Sequence, residues 1–332
     1  MFFLSRRERK EERGSAIREN RNHRILRHIV FHVKNTDVDS FSFLLPLPNP
    51  PPSGEGTNNM QKKFHIVGIL NTTPDSYFDG GKYVSVSQAV ERAEQMLDEG
   101  ADIIEVGGES TIPSGDGGIS IEEELQRTIP MIRAIRDTFP HANISIDTYK
   151  SEVAKEAIEA GVMMVNDVTA GRGDPEMFSV LRNADVKIVL MFAKELPPLA
   201  KIHNTRYDDV VSTVFEFLRE RKRVAMESGI GVPRIILDPG LGFFISSDAR
   251  YSFQILAHLK RFTEFDCPIF VSPSRKSFLA GAAKLSPDDR LPATIAASAI
   301  AVLNGATYIR THDVAAVKRG CEFVFMMDRG MR

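Results

Sequence analysis

The sequence has no tryptophan, only two cysteines and no long apolar run. Cys267 and Cys321 lie outside any CxxC or histidine-rich context, which excludes a disulfide framework and a cysteine-based zinc site. No stretch reaches the roughly 18 apolar residues that a membrane helix needs, and the apolar segment at residues 1–4 is too short for a signal peptide. These absences predict a cytoplasmic protein in a reducing environment.

Glycine-rich phosphate-binding motifs are also missing. No GxGxxG, GxxxxGKS or GxxxxGKT segment follows a predicted strand, so neither a dinucleotide-binding unit nor a P-loop is indicated. The formal net charge of -2 argues against a surface devoted to nucleic acid. The charge is unevenly distributed, because residues 1–35 carry ten basic and four acidic side chains and the remainder of the chain is acidic overall.

A segment rich in proline and glycine at residues 46–56 marks a domain boundary, because proline lacks an amide donor and glycine is costly to order. We predict a disordered basic arm and linker at residues 1–59 and one folded domain at residues 60–332. Met60 is an alternative start position for that domain. The arm leaves open a nucleic-acid or membrane contact, but its modest charge and lack of interleaved aromatics favour an incidental extension.

From residue 62 onward, short β-branched runs alternate with longer amphipathic segments, a pattern typical of βα units on a parallel sheet. Eight such units in this length predict an α/β fold of the (β/α)8 TIM barrel type. Strands are predicted at residues 65–70, 103–106, 144–147, 163–166, 188–191, 235–238, 269–271 and 308–310. Helices are predicted near residues 86–99, 121–138, 151–160, 175–183, 207–228, 249–262, 290–304 and 313–327.

Polar residues follow seven of the eight predicted strands at their carboxyl ends, which form the active-site face of such a barrel. Asp147, Asn166, Asp238 and Lys276 combine carboxylates, an amide and an ammonium group. These groups suit a planar heterocycle that presents hydrogen-bond donors and acceptors together. Taken singly, each also has a structural interpretation, such as a helix cap for Asp147 or a turn residue for Asp238. Their joint occurrence favours one shared site.

A second set of residues suits anionic oxygens. Arg310, His312 and the hydroxyls at residues 110–111 are donors of the kind that bind phosphate, which barrels often hold near strands 7 and 8. Asn71 offers a neutral oxygen at the mouth of the barrel, which suits a hard cation such as Mg2+. The two sets together predict a ligand that contains both a ring and a phosphate group.

Seven short motifs follow one another along the chain: GILNTTPDS at 68–76, GGEST at 107–111, SIDT at 145–148, NDV at 166–168, LDPG at 237–240, SRKS at 274–277 and RTHD at 310–313. In order and spacing they closely resemble the dihydropteroate synthase family of pterin-binding enzymes in folate biosynthesis. The resemblance covers the chain from about residue 64 to its C-terminus.

The resemblance implies condensation of 6-hydroxymethyl-7,8-dihydropterin diphosphate with 4-aminobenzoate, which yields 7,8-dihydropteroate and diphosphate. It also implies a homodimer and a requirement for Mg2+. By the same resemblance, the residues that bind the pterin are Asp147, Asn166, Asp238 and Lys276. Those that bind the diphosphate are Asn71, which also holds Mg2+, and Thr111, Arg310 and His312. Ser277 lies beside the aminobenzoate, and the catalytic residues are Asp147, Lys276 and Asp79.

The sequence departs from the family pattern at five places, two of which are residues 242–245 after strand 6 and Ser272, where a glycine is usual. The other three bear on the substrates. Glu105 stands where an aspartate is usual, Ile112 replaces an arginine, and residues 191–198 replace the usual loop after strand 5. Lys194 in that loop is a candidate for the cation missing at position 112. The departures put aminobenzoate binding in question and leave two alternatives open, a catalytically silent pterin-binding protein and a folate-dependent methyltransferase with the same barrel.

Overall fold

A computed structural model describes residues 64–72, 85–109, 118–196 and 203–330, with side chains described as far as residue 327. The eight strands of the barrel are β1 (His65–Asn71), β2 (Ile103–Gly107), β3 (Ile144–Asp147), β4 (Met164–Asp167), β5 (Lys187–Met191), β6 (Ile235–Asp238), β7 (Phe270–Val271) and β8 (Tyr308–Thr311). The predictions for residues 1–59, Asp79, Thr111 and Ile112 lie outside the described residues.

The strands pair in parallel in the order β6-β5-β4-β3-β2-β1-β8-β7. A single parallel bridge between Leu237 and Ile269 joins β6 to β7 and closes the barrel. The predicted TIM barrel is therefore confirmed. Strand β7 is shorter than the predicted 269–271: its register with β8 begins at Phe270, while Ile269 forms the closing bridge to Leu237 and accepts from Tyr308 N at 3.0 Å.

A helix follows each strand, and the helices of the described chain agree closely with the predicted ones. They are α1 (Val86–Asp98), α2 (Ile121–Thr138), α3 (Ser151–Glu159), α4 (Met177–Arg182), α5 (Val210–Glu227), α6 (Ala249–Ala257), α7 (Leu291–Leu303) and α8 (Val314–Gly330). Helix α6 ends before the predicted residue 262, because a 3-10 segment at Leu259–Phe265 continues from it. No helix in the described ranges is long and apolar enough to cross a bilayer.

One layer of apolar side chains fills the interior of the barrel. Its fully or nearly fully buried members come from seven strands, namely Val67, Ile103, Met164, Val189, Ile236, Phe270 and Tyr308. Because side chains along a strand alternate between faces, the residue two positions later also points into the barrel, one layer nearer the carboxyl ends. The residues two positions after the apolar layer therefore determine which chemical groups line the open, carboxyl end of the barrel.

Candidate active site

Four of the strands place a charged or amide side chain directly above the apolar layer. Glu105, Asn166, Asp238 and Arg310 each stand two residues after a member of that layer. All four side chains are largely shielded from solvent: Glu105, Asn166 and Asp238 are buried and the Arg310 side chain is 15% exposed. The alternation of the strands thus gathers residues from distant parts of the sequence into one polar layer.

Asp147 enters the site from the end of β3, in register with Gly107 on one side and Asn166 on the other. Its Oδ2 accepts a 2.7 Å hydrogen bond from Arg310 Nη2. Burial raises the pKa of Asp147 to about 7, with Arg310 opposing the rise and the Glu105 carboxylate adding to it. The helix-cap interpretation is wrong, because Lys150 is the N-cap of α3 and Asp147 pairs inside the barrel.

Arg310 is shared between two carboxylates. Its Nε donates to Glu105 Oε1 and its Nη2 to Asp147 Oδ2. Sequence reasoning noted Glu105 only as a departure from a family pattern and did not assign it to the site. The sequence did contain a signal for this role: Glu105 is a glutamate in the middle of the otherwise apolar strand Ile103–Gly107. A carboxylate in such a position is buried only when a partner compensates for its charge.

Asn166 donates from Nδ2 to Glu105 Oε1 at 3.3 Å. Its Oδ1 is buried and has no hydrogen-bond partner among the described residues. Buried acceptors in proteins are nearly always paired, so an unpaired one within a polar layer indicates a place for a ligand donor. The neighbouring Asp167 faces away from this layer and folds the loop after β4, where its carboxylate accepts from Thr169 and Gly171.

Asp238 fixes a turn and also lies in the polar layer. Its Oδ1 accepts a 2.7 Å hydrogen bond from Gly240 N, which fixes the turn after β6. Gly240 adopts φ +70, and a Cβ there would lie 2.4 Å from the carbonyl oxygen of Phe192. The carboxylate also lies within the polar layer, where burial raises the pKa of Asp238 to about 6 and Lys276 opposes the rise.

Lys276 supplies the ammonium group opposite these carboxylates. Its Nζ donates to the carbonyl oxygen of Leu241 at 3.3 Å and lies 5.0 Å from the centre of the Phe244 ring. Burial lowers the pKa of Lys276 to about 8, whereas Asp238 and Asp147 hold it up. The surface-lysine interpretation is therefore wrong. Ser277, the next residue, is half-buried and begins a 3-10 turn.

An ion pair behind the loop fixes the position of Lys276. Arg275 donates from Nε and Nη2 to the two carboxylate oxygens of Asp313, at 2.8 and 2.7 Å. Arg275 also adopts φ +52, a conformation that costs a non-glycine residue about 1 kcal/mol. The bidentate pair offsets that cost and turns Arg275 outward and Lys276 inward.

His312 lies at the end of β8 with its ring held by Ser274. Ser274 Oγ is 2.9 Å from His312 Nδ1 and also accepts a hydrogen bond from the His312 backbone amide at 3.1 Å. Burial lowers the pKa of His312 to about 4, and the positive charge of Arg310 lowers it further. The ring is therefore neutral near pH 7 and acts as a hydrogen-bonding group rather than as a cation.

Asn71 ends β1, and its register partner on β2 is Gly107. A Cβ on Gly107 would lie 3.6 Å from Asp147 Cβ and 3.8 Å from Asn71 Oδ1. The absence of a side chain at Gly107 therefore leaves space between the ends of β1 and β3. The predicted ring and phosphate residues that the structure describes are thus brought to the same end of the barrel.

Lys194 does not extend into the site as an isolated cation. Its Nζ donates to the carbonyl oxygen of Phe243 at 2.7 Å, and its backbone amide donates to the carbonyl of Phe244 at 3.0 Å. These bonds tie the loop after β5 to the loop after β6. Phe244 packs there with Met191 and further buried apolar residues, so this side of the mouth has an apolar wall.

Comparison with known proteins gives a consistent result over most of the chain. The model of a family described as pterin binding enzyme matches residues 67–312. A dihydropteroate synthase of Clostridium beijerinckii is 36% identical over 272 residues, which cover 82% of this chain and 97% of that protein. The enzyme of the same name from Escherichia coli is 37% identical over 260 residues, covering 78% and 90%.

Solved structures agree in fold as well as in sequence. A dihydropteroate synthase of Xanthomonas albilineans with 4-aminobenzoic acid superposes with a TM-score of 0.73 at 36% identity, covering 80% of this chain and 93% of that one. The same protein in complex with 7,8-dihydropteroate superposes with a TM-score of 0.69 at 34% identity, covering 80% and 94%.

Proposed function

This chain belongs to the pterin binding enzyme family and is a transferase, a dihydropteroate synthase, and we propose how its residues divide the work. The reaction joins 6-hydroxymethyl-7,8-dihydropterin diphosphate to 4-aminobenzoate and releases diphosphate. The enzyme therefore has to recognise a ring, stabilise a developing charge and hold a leaving group. Each task falls to a different part of the polar layer.

The pterin ring is bound by Asp147, Asn166, Asp238 and Lys276. The observation that carries this proposal is the buried Oδ1 of Asn166, an acceptor with no hydrogen-bond partner among the described residues. Asp238 adds a carboxylate acceptor and Lys276 adds a donor. A pterin presents ring and amino N–H groups together with a carbonyl oxygen, so this mixture of partners fits it better than it fits a purely anionic ligand.

Charge stabilisation accelerates the reaction. As the C–O bond to diphosphate lengthens, positive charge spreads into the pterin and negative charge grows on the leaving group. Asp147 stabilises the positive charge. Arg310 takes the opposite charge on the diphosphate, and neutral His312 donates a hydrogen bond to it. The amine of 4-aminobenzoate then attacks the carbon, and no enzyme nucleophile is required.

Magnesium fits the diphosphate end of the site. Gly107 places no side chain against Asn71 Oδ1, and this atom is a neutral oxygen of the kind that Mg2+ accepts. Within the described ranges, no cluster of three or more His, Cys, Asp or Glu side chains offers a cage for a metal. Asn71 would therefore be the protein ligand and the diphosphate would supply further oxygens. The bound ion would neutralise charge on the leaving group.

The aminobenzoate side of the site rests on residues that the structure describes only in part. Ser277, beside Lys276, is proposed to line it, with Asp79 as a catalytic residue of the first loop. Thr111 is proposed to bind the diphosphate. Asp79 and Thr111 lie outside the described residues, and their roles remain predictions from the sequence motifs.

A homodimer is proposed through the outer faces of α7 and α8. Five apolar side chains at helical spacing are exposed there, namely Ile300, Leu303, Phe323, Met326 and Met327. An apolar stripe on two adjacent helices is a feature of protein interfaces rather than of solvated surfaces. A second copy of the chain is the proposed occupant, and the cytoplasm is the proposed location, in keeping with two buried free cysteines.

A product assay tests the assignment. The protein with Mg2+ and dihydropterin diphosphate should release diphosphate and form dihydropteroate only when 4-aminobenzoate is added. Calorimetric binding of dihydropterin diphosphate without turnover would support a silent pterin-binding protein instead. Methyl transfer from a reduced folate, in the absence of condensation, would support the methyltransferase alternative.

A further inference from the structure

Glu105 is a fully buried carboxylate to which the proposed chemistry assigns no task. It lies one layer above the apolar interior of the barrel, in the same polar layer as Asn166, Asp238 and Arg310. Removing a carboxylate from water is costly, and the cost is recovered only by well-placed partners. The partners of Glu105 therefore indicate why a charge is present at this depth.

Three other strands contribute those partners. Arg310 Nε on β8 and Asn166 Nδ2 on β4 donate to Oε1, the latter at 3.3 Å. Ser145 Oγ on β3 donates to Oε2 at 3.2 Å. Two of the three donors belong to residues that are proposed to contact substrate. The Glu105 carboxylate thus contacts both Asn166, a proposed pterin residue, and Arg310, a proposed diphosphate residue.

The contact with Asn166 fixes which way its amide faces. A carboxylate accepts hydrogen bonds and does not donate them, so Asn166 has to present its NH2 group to Glu105. The Oδ1 atom is then left as the buried, unpaired acceptor. With a neutral partner able to donate, the amide would have no reason to prefer this orientation.

The contact with Arg310 has a parallel effect on Asp147. Arg310 is held at Nε by Glu105 and at Nη2 by Asp147. Asp147 can give up its hydrogen bond to Arg310 and accept one from a ligand N–H instead. The guanidinium then stays paired, because Glu105 still contacts its Nε. Loss of Glu105 would leave Asp147 as the sole carboxylate hydrogen-bonded to Arg310.

We propose that Glu105 is a positioning residue that orients Asn166 and Arg310 within the polar layer, presenting an acceptor to the pterin and freeing Asp147 to bind it. The inference rests on the proposed function, because it concerns the pterin site. It predicts that the negative charge and the accepting character of residue 105 matter more than its volume.

Calorimetry with dihydropterin diphosphate and Mg2+, without 4-aminobenzoate, tests this inference. Glu105→Gln keeps the volume but adds a donor, and should weaken binding at least about tenfold, or about 1.4 kcal/mol. Glu105→Asp keeps the carboxylate and should restore most of the affinity. Ser145→Ala removes one donor to the carboxylate without changing its polarity, and should bind within about threefold of the wild type.

Steady-state kinetics supply a second readout. Glu105→Gln should raise KM for dihydropterin diphosphate and leave KM for 4-aminobenzoate nearly unchanged, whereas a general loss of structure would affect both. Equal weakening by Glu105→Gln and Glu105→Asp, or wild-type binding by Glu105→Gln, would overturn the proposal. If the wild-type protein itself binds no dihydropterin diphosphate, the proposed function fails first and the role of Glu105 fails with it.

A further pair of variants covers the case in which Glu105→Gln does not fold. Glu105→Gln with Arg310→Gln removes the cation together with one of its two carboxylates, so Asp147 alone loses an ion-pair partner. Compared with Arg310→Gln alone, the double variant should bind dihydropterin diphosphate at least about tenfold more weakly, because Asn166 loses the carboxylate that orients it. Equal affinities of the two variants would overturn the proposal.

Discussion

Asp147 Oδ2 and Arg310 Nη2 are 2.7 Å apart inside the barrel, so the carboxylate proposed to face the pterin is bonded to the cation proposed to face the diphosphate. The two residues come from β3 and β8 and are 163 positions apart in the sequence. Their pairing links the two halves of the ligand site. A substrate that carries both a ring and a diphosphate is expected to engage both partners.

Replacing Asp147 should abolish turnover without unfolding the protein. Asp147→Asn keeps the shape of the side chain but removes the charge that stabilises a cationic pterin, and loss of such a group costs about 100-fold or more in kcat. The variant should be at least as stable as the wild type near pH 7, because the pKa of Asp147 in the folded protein lies above its ordinary value. Turnover and thermal unfolding measured on the same preparation check this, and full activity in the variant would defeat the assignment.

The pH dependence of kcat/KM should be bell-shaped. Burial raises the pKa of Asp147 to about 7 and that of Asp238 to about 6, so activity should fall as these carboxylates take up protons. Burial lowers the pKa of Lys276 to about 8, so activity should fall again as the ammonium loses its proton. A profile from pH 5 to pH 10 at low substrate would show both limbs. A flat profile through pH 6 to 7 would contradict ionised carboxylates at the site.

Asp238 should make the free protein less stable at high pH. Its pKa in the folded protein is about 6, above the ordinary value of 3.8, so ionisation is easier in the unfolded chain. Stability is therefore fully present below the ordinary value and is lost as the pH rises through 6. Asp238→Asn should unfold at a higher temperature than the wild type at pH 8, by the equivalent of about 1–2 kcal/mol, and at the same temperature near pH 4.

The barrel was predictable from sequence because eight β-branched runs alternate with amphipathic segments, and most of those runs end at polar residues, as at Asp147 and Asp238. Glu105 was not assigned because its partners Asn166 and Arg310 are far away in sequence, and strand register alone brings them together. The sequence likewise did not show that Lys194 bonds to a neighbouring loop, since its acceptor is a backbone carbonyl. Contacts made through main-chain atoms or across several strands leave no motif.

Removal of Mg2+ should stop diphosphate release, and Asn71 should set the concentration of Mg2+ needed. Asn71→Ala removes the proposed oxygen ligand, so half-maximal activity should require several-fold more Mg2+. Binding of a pterin that lacks the diphosphate should be unchanged, because Asn71 is not part of the ring set. Calorimetry and a Mg2+ titration of activity measure the two effects. Unchanged Mg2+ dependence would remove Asn71 from the metal site.

The exposed apolar stripe on α8 should hold two chains together. Phe323 is 66% exposed and Met326 64%, more than other large apolar side chains of the described structure. Phe323→Glu with Met326→Glu should therefore shift a dimer to a monomer in analytical ultracentrifugation, because like charges at the centre of an apolar interface lose water without gaining partners. Met226→Lys on α5, where the wild-type residue is 46% exposed, is the matched control and should leave the association state unchanged. A wild-type chain that sediments as a monomer at micromolar concentration would exclude a stable dimer through this face.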